Sequence, residues 1–343
     1  MAQLPNLSEG LLHCCRFIYN FSSETSEKAE METLSPKLKY DEFISVLTGK
    51  RVPNVSGFIE SVISKRPNMN TLKILEQVDK LKSWLDSFRP FPPAISDEMK
   101  KYYDVNFTYH SNAIEGNTLT KSETEMVLEK GITIGGKSLV EHLEVIGHKD
   151  AINFIEELAR QETKIGEREI KEVHNIIMRA ISPDEAGRYR RLDVKAAGTD
   201  HVYPQHFLLA DLMHDFVLWI ESEEAKILHP VVLAAIAHYR FVSIHPFRDG
   251  NGRTARLLQN LILVRHGFPI AVITNERRKD YIDSLVYAQN NNDDMDELVK
   301  IVAEASRESM IDYLRILSTA DESKGKGLPF YDEMLAFLKR KNN

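Results

Sequence analysis

The sequence predicts a mainly α-helical protein, and three observations support this fold class. Within residues 71–88 the apolar side chains recur every three or four positions, which is the spacing of one helix face. Residues 230–241 are nearly all apolar on one side and predict a buried central helix. Thr120 and Glu123 have the spacing of a capping box at the start of a further helix.

The first part of the chain is predicted to be an N-terminal helical region, residues 1–93. Residues 1–50 remain ambiguous, whereas residues 71–88 form an amphipathic helix that ends at the proline cluster of residues 89–93. This cluster marks the expected boundary to the main domain, residues 94–320, whose first helix is expected to begin at Asp97 as N-cap. Residues 321–343 are expected to form a short tail with one helix.

The main domain alternates helices with short turns. Apolar periodicity predicts helices over residues 139–157, 165–180, 207–221, 253–264 and 277–290. The exception is residues 187–204, where alternating side chains around Gly198 predict a small β-hairpin.

Bulk composition excludes several classes of function. The 343 residues are 43% hydrophobic, enough for a core, and the formal net charge of −7 disfavours non-specific nucleic-acid binding. Neither an apolar run long enough to span a membrane nor a signal peptide is visible, so no membrane partner is expected. Cys14 and Cys15 are adjacent and have no other partner, which indicates a reducing compartment and a cytoplasmic location.

The segment from His245 to Arg256, HPFRDGNGRTAR, carries the chemistry. Its Gly-Asn-Gly turn permits positive φ and precedes a helix, so unpaired N–H groups and the positive end of a helix dipole meet at one point. An anion binds readily there. Arg253 and Arg256 lie on the first helical turn, and their guanidinium groups match phosphate oxygens.

Two further side chains complete this predicted phosphate site. Asp249 is a lone carboxylate beside the positive turn, which is the usual way to hold Mg²⁺ together with phosphates and water. His245 changes protonation near neutral pH and is the natural general base for an incoming hydroxyl.

This segment resembles the signature of the Fic family, His-x-Phe-x-Asp/Glu-Gly-Asn-Gly-Arg-x-x-Arg, with every position filled. Gly187-Arg188-Tyr189-Arg190 is similar to the start of the family's flap, which binds an extended target segment by strand addition. Residues 228–239 resemble the helix before the motif, and residues 281–290 resemble the helix that lines the adenine pocket. The likeness covers about residues 97–305, so the implied fold is a Fic-type helical core with a hairpin flap.

The resemblance implies a protein adenylyltransferase that transfers AMP from ATP to a Ser, Thr or Tyr hydroxyl of a target protein. It implies that His245 accepts the hydroxyl proton and that Asp249 binds Mg²⁺ or Mn²⁺ between the α- and β-phosphates. Gly250, Asn251 and Gly252 would hold these two phosphates, with the Asn251 side chain taking part.

The remaining implied roles concern the two arginines, the flap and the adenine pocket. Arg253 would support the β-phosphate region and orient the loop, and Arg256 would bind the γ-phosphate. The flap around Ala197, Gly198 and Thr199 would cover the nucleotide and align the target. Two residues would line the adenine pocket, Tyr281 and Gln289, although asparagine is more usual at the second position.

A second signature lies at residues 111–117, SNAIEGN, at the end of a predicted helix spanning residues 97–117. It resembles the family's inhibitory pattern Ser/Thr-x-x-x-Glu-Gly/Asn, with Ser111 and Glu115 at the defining positions. Glu115 precedes Gly116, a helix-ending glycine, and its carboxylate is expected to pair with Arg256 in a bidentate fork. That pair would keep Arg256 from the γ-phosphate, so the resemblance implies autoinhibition.

Several alternatives remain open at the level of sequence. The same residues would serve removal of AMP from a modified protein. The sequence does not identify the nucleotide that the pocket accepts, so donors such as UTP or CDP-choline remain alternatives to ATP. Phosphorylating relatives carry lysine where this chain has Gly252, which argues against that reaction. A nucleotide-binding regulatory module without turnover is the alternative from another class. The expected partner is a target protein bound by the flap, residues 187–204, and family resemblance alone implies a homodimer.

Overall fold

The structure of the chain is a computed structural model that describes residues 68–161, 164–195, 201–323, 325–327 and 330–341. Regular structure in these ranges is helical, as predicted from the sequence, and they contain no β-strand. Twelve α-helices lie within them: α1 (Met69–Asp86), α2 (Pro93–Ile114), α3 (Lys121–Lys130), α4 (Leu139–Arg160), α5 (Glu167–Met178), α6 (Leu209–Ile220), α7 (Glu223–Lys226), α8 (Pro230–Ile244), α9 (Asn251–Arg265), α10 (Arg278–Asn290), α11 (Asp296–Thr319) and α12 (Tyr331–Lys341).

The predicted apolar stripe of α1 is confirmed. Leu75, Val78, Leu81 and Leu85 are buried, and they belong to the same hydrophobic cluster as the central helices. Residues 1–67, which include the ambiguous segment and both cysteines, lie outside the described residues. The domain limits at residues 93 and 320 and the expected reducing compartment therefore stay predictions.

Helix α2 begins at the proline cluster. Pro93 occupies its first position, where a missing N–H leaves no hydrogen bond unmade and the fixed φ suits a helix. The predicted N-cap at Asp97 is wrong, because this aspartate lies inside the helix. At the other end the prediction is confirmed: the helix stops at Ile114, Glu115 follows as C-cap, and Gly116 takes a positive φ of 102°.

Helices α8 and α9 form the centre of the core. They pack against each other, while α4 covers α9 and α11 lies against α8. Nearly every side of α8 is buried, and α9 buries four predicted apolar residues, Leu257, Leu258, Leu261 and Ile262. The turn over residues 245–250 is therefore anchored at both ends by buried helices, which fixes its position in the fold.

The predicted hairpin over residues 187–204 is described only in part. Residues 196–200, which include Ala197, Gly198 and Thr199, lie outside the described residues, and the described residues on either side contain no strand. The hairpin thus stays a prediction.

The end of the chain contributes to the same core. As predicted, the described residues after Lys326 contain one short helix, α12, whose Met334 and Leu338 are buried. None of the helices in the described ranges is long and apolar enough to cross a membrane.

Candidate active site

The turn between α8 and α9 holds His245 in an unusual backbone conformation. His245 ends α8 with φ 52° and ψ 57°, in the left-handed region that few residues other than glycine adopt. Gly250 also has positive φ, 74°, and α9 starts directly after it. Strained residues persist only where their surroundings hold them, and they cluster at functional sites.

Asn251 closes this turn from within. Its side-chain oxygen accepts a hydrogen bond from the Phe247 N–H at 3.0 Å, and its amide nitrogen donates to the Phe247 carbonyl at 2.8 Å. The residue is only 3% exposed. Its side chain was predicted to contact phosphate, but here both polar atoms shape the loop.

His174 of α5 supports the same turn and was not predicted. Its ring stacks on Phe247, with centroids 3.6 Å apart and planes 4° from parallel. Nδ1 accepts from the Gly187 N–H at 2.9 Å, so Nε2 carries the proton and donates to the Asp249 carbonyl at 3.0 Å. His174 therefore joins the start of the flap segment to the anion loop.

Arg190 is a second support that sequence reasoning left without a role. Its guanidinium donates to the backbone carbonyls of His245 at 2.9 Å, Leu192 at 3.0 Å and Pro204 at 2.5 Å. The backbone N–H of Arg190 also donates to the Pro246 carbonyl at 2.9 Å. One side chain, itself 1% exposed, thus connects both described ends of the flap segment to the backbone of His245.

Arg253 is turned into the protein. Its Nη1 pairs with Glu144 of α4 at 3.1 Å, and its Nη2 lies 3.7 Å from an Asp249 oxygen. Glu144 also accepts from the Asn117 amide at 2.9 Å, just beyond the end of α2. These contacts hold the Arg253 side chain against the turn, and its role toward the β-phosphate stays a prediction. Glu144 is a partner that the sequence did not reveal.

Arg256 and Glu115 form the predicted ion pair. Nη2 of Arg256 lies 2.7 Å from Oε1 of Glu115, and the arginine side chain is 1% exposed. The predicted bidentate fork is absent, because the other donors of Arg256 have different acceptors. Nε bonds the Ser111 hydroxyl at 3.0 Å, Nη2 also bonds the Ser111 carbonyl at 2.8 Å, and Nη1 lies 3.4 Å from the Tyr281 hydroxyl.

The Glu115 carboxylate lies in the anion-binding turn itself. A Cβ added to Gly252 would collide with Oε1 of Glu115 and would lie 3.3 Å from Nη1 of Arg256. Gly252 is in the first turn of α9, where free N–H groups and the helix dipole favour a negative charge. The carboxylate therefore occupies a position that suits a phosphate oxygen.

His245 and Asp249 differ sharply in environment. Burial, with a smaller effect of the charge on Arg190, lowers the pKa of His245 from 6.5 to about 4. The imidazole is therefore neutral near pH 7 and free to accept a proton. The Asp249 side chain is 72% exposed, and one of its oxygens accepts from the Gly250 N–H at 2.6 Å.

The two residues predicted to line the adenine pocket differ in their surroundings. Tyr281 is 1% exposed and its hydroxyl points at Arg256, so its predicted contact with adenine stays without structural support. Gln289 bonds the hydroxyl of Tyr203, whose ring lies 4.4 Å from that of His245. Tyr203 was not predicted, and it connects the flap segment, the candidate base and α10.

The described residues contain no group of three or more His, Cys, Asp or Glu side chains that could hold a metal by themselves. Asp249 is exposed beside the anion-binding turn and offers a single carboxylate. Such a donor set fits Mg²⁺, which keeps water and takes phosphate oxygens in addition to one or two carboxylates. The residues present therefore fit a metal that arrives with a nucleotide.

The buried histidines predict a pH dependence of stability. Burial lowers the pKa of His174 and His245 to about 4 and of His238 to about 3, from 6.5. Protons therefore bind the unfolded chain first as pH falls from about 7 to about 4, and we expect the free energy of unfolding to decrease. At pH 5 each histidine accounts for roughly 2 kcal/mol.

Urea titrations at several pH values measure this decrease. His238→Gln should make the dependence of the free energy of unfolding on pH shallower. The same change at His214, whose side chain is 63% exposed, should leave that dependence unchanged. A free energy of unfolding that stays constant between about pH 7 and 5 would contradict the expectation.

Comparison with known proteins gives one family. Residues 164–263 match the Fic/DOC family. The protein adenylyltransferase Fic of Nematostella vectensis is 40% identical over 71% of this chain and 55% of the relative. The Drosophila grimshawi protein of the same name is 35% identical over 74% of this chain and 53% of the relative. The chain thus spans about half the length of the curated relatives it matches.

Solved structures agree with the sequence matches. Fic-1 from C. elegans superposes with a TM-score of 0.66 and 34% identity, covering 73% of this chain and 74% of that one. A Fic domain containing signaling protein from Bacteroides thetaiotaomicron has a TM-score of 0.63 and 30% identity, covering 69% and 97%. With its complete His245–Arg256 motif, its helical fold and these matches, the chain belongs to the Fic/DOC family.

Proposed function

We propose that this chain is a protein adenylyltransferase that transfers AMP from ATP to a Ser, Thr or Tyr hydroxyl of a target protein. One observation carries the proposal: a buried arginine, a helix N-terminus and a neutral histidine converge on one turn, where Glu115 occupies the anion position. The name protein adenylyltransferase Fic, given to the relatives, supports the same activity.

The chemistry follows from the arrangement of the chain's own groups. Neutral His245 takes the proton of the target hydroxyl, whose oxygen attacks the α-phosphorus in line while pyrophosphate leaves. The N–H groups of Asn251 and Gly252, in the first turn of α9, stabilise the phosphate charge that develops, while the Gly250 N–H bonds Asp249. Arg256 binds the γ-phosphate and so orients the leaving group.

Asp249 would hold Mg²⁺ or Mn²⁺ together with the phosphates, and the bound metal would neutralise phosphate charge. The other carboxylate of the turn, Glu115, has the opposite effect. Its contact with Arg256 withholds that guanidinium from the γ-phosphate, so the wild-type chain is autoinhibited.

The target protein is proposed to bind along the flap, residues 187–204. Arg190 connects both described ends of this segment to the backbone of His245, and this contact supports the proposal that a target strand binds beside the general base. Family resemblance supports a homodimer, and the adjacent cysteines support a cytoplasmic location.

Removal of AMP from a modified protein is the second candidate function. The Glu115 side chain is 38% exposed and close to the phosphate position, so it could orient a water molecule for attack. A purified AMP-modified protein, incubated with the chain without ATP, would release AMP if this reaction occurs.

Labelling separates an enzyme from a nucleotide-binding module. The full chain and its Glu115→Gly variant are incubated with candidate targets and ATP labelled at the α-phosphate. We expect label on protein with both, and more of it with the variant. Binding of ATP without protein label would favour the binding module.

Transfer should require a divalent metal. We expect Asp249→Ala and excess EDTA each to abolish α-label transfer, because Asp249 is the exposed carboxylate beside the turn and the other carboxylate there, Glu115, pairs with Arg256. Asp211→Ala is the matched control, since this exposed aspartate lies on α6. Undiminished transfer in EDTA would refute the metal assignment.

A further inference from the structure

Behind Arg256 lies a buried chain of three polar side chains that the proposed mechanism does not use. The Tyr281 hydroxyl of α10 lies 2.8 Å from Nε2 of His238 on α8. Nδ1 of His238 lies 2.9 Å from Oε1 of Gln259 on α9. Tyr281 is 1% exposed, and His238 and Gln259 are 0% exposed. Three helices thus contribute to one network that ends at Arg256.

The donors and acceptors of this chain have one consistent direction. Arginine only donates, so the Tyr281 oxygen accepts from Nη1 of Arg256 at 3.4 Å and its O–H donates to Nε2 of His238. Nδ1 of His238 then carries the proton and donates to Gln259. Burial, and secondarily the charge of Arg256, lowers the pKa of His238 to about 3, which keeps the ring neutral as this direction requires.

The partners of Arg256 fall into two groups. Glu115 and Ser111 both belong to the end of α2, which carries the inhibitory carboxylate. Among the described residues, Tyr281 is the hydrogen-bond partner of the guanidinium that lies elsewhere. The tyrosine hydroxyl therefore remains available to Arg256 when Glu115 gives up its place to a phosphate.

We propose that Tyr281, held by His238 and Gln259, is a positioning residue that keeps Arg256 directed at the terminal phosphate of the nucleotide. This inference rests on the proposed function, because it takes the nucleotide to be a triphosphate bound through Arg256. It differs from the role expected by resemblance, in which Tyr281 contacts the adenine. The Tyr281 ring faces Arg256, whose Cζ lies 5.8 Å from the ring centroid. The ring has almost no exposed surface.

The two roles of Tyr281 affect different affinities. Loss of an adenine contact would change the preference for ATP over GTP. Loss of an Arg256 support would instead change the preference for ATP over ADP, because ADP lacks the γ-phosphate. Tyr281→Phe removes only the hydroxyl and keeps the ring, so it separates these effects.

Isothermal titration with ATP, ADP and GTP, in the full-length Glu115→Gly chain, measures these preferences. We expect Tyr281→Phe to weaken ATP about tenfold and to leave ADP unchanged, as fits the loss of a hydrogen bond to a charged group. The ratio of ATP affinity to GTP affinity should stay constant.

Tyr287→Phe on the same helix is the matched control, because this side chain is 49% exposed. His238→Leu should reproduce the effect, and His238→Gln, whose amide oxygen can accept from Tyr281, should restore it.

The outcomes distinguish this inference from the proposed function. An unchanged ATP-to-ADP ratio in Tyr281→Phe, an altered ATP-to-GTP ratio, or an equal loss of ATP and ADP affinity with a lowered unfolding temperature would overturn the positioning role alone. A Glu115→Gly parent that binds ATP no better than ADP would overturn both, since Arg256 would then not bind a γ-phosphate.

Discussion

Replacing His245 by alanine is expected to lower AMP transfer by about two to four orders of magnitude, the usual effect of removing a general base. The variant should still bind ATP, because the imidazole lies before the anion-binding turn while the N–H groups and Arg256 remain. Transfer is measured with ATP labelled at the α-phosphate, and binding by titration calorimetry.

The backbone of His245 calls for a second variant. With φ 52°, alanine is strained at this position, whereas asparagine tolerates the left-handed region. His245→Asn should therefore keep the turn and still fail in transfer. Near-normal transfer by either variant would refute the base assignment, and a loss confined to alanine would point to strain instead.

Replacing Glu115 by glycine is expected to raise AMP transfer, including transfer onto the chain itself. The carboxylate pairs with Arg256 at 2.7 Å beside Gly252, so its removal opens the anion position and frees the guanidinium. A buried charge is costly to leave without a partner, so ATP alone should displace Glu115 poorly in the wild type. Protein label is compared between wild type and variant under the same conditions.

Two controls separate release of inhibition from general loosening of the site. Arg256→Ala also breaks the pair but removes the group that orients ATP, so its transfer should not rise. The double variant should behave like Arg256→Ala. A Glu115→Gly variant with wild-type transfer across several targets would show that Glu115 is not the inhibitory group.

The parts that the sequence predicts well are those set by local chemistry. The largely apolar sequence of α8 predicts a buried helix, and the Gly-Asn-Gly segment predicts a turn after it, at the start of α9. Gly116 and the residues before it likewise placed Glu115 at a helix end. Local patterns of this kind depend on neighbouring residues and leave a clear signal in a single chain.

The parts that the sequence misses depend on contacts between distant residues. His174 looks like any histidine on an apolar helix face, and Glu144 like any exposed glutamate, until the fold brings them to Asp249 and Arg253. Arg190 belongs to the Gly-Arg-Tyr-Arg motif at the start of the flap segment, yet tertiary structure determines its three carbonyl acceptors.

Two details failed for equally physical reasons. Aspartate favours the N-cap, which predicts that position for Asp97, but the helix instead begins with Pro93 at its first position. The arginine–glutamate pair makes one contact and not a fork, because Ser111 and Tyr281 take the other N–H groups.

The central claim is that this site transfers the α-phosphate of ATP, as AMP, under the control of Glu115. Its most direct test incubates the Glu115→Gly variant and candidate targets with ATP labelled at the α-phosphate and, in parallel, at the γ-phosphate. We expect protein-bound label from the α position only, together with released pyrophosphate. Label from the γ position would mean phosphoryl transfer, and absence of label from both would mean no nucleotide transfer at this site; either result would contradict the account.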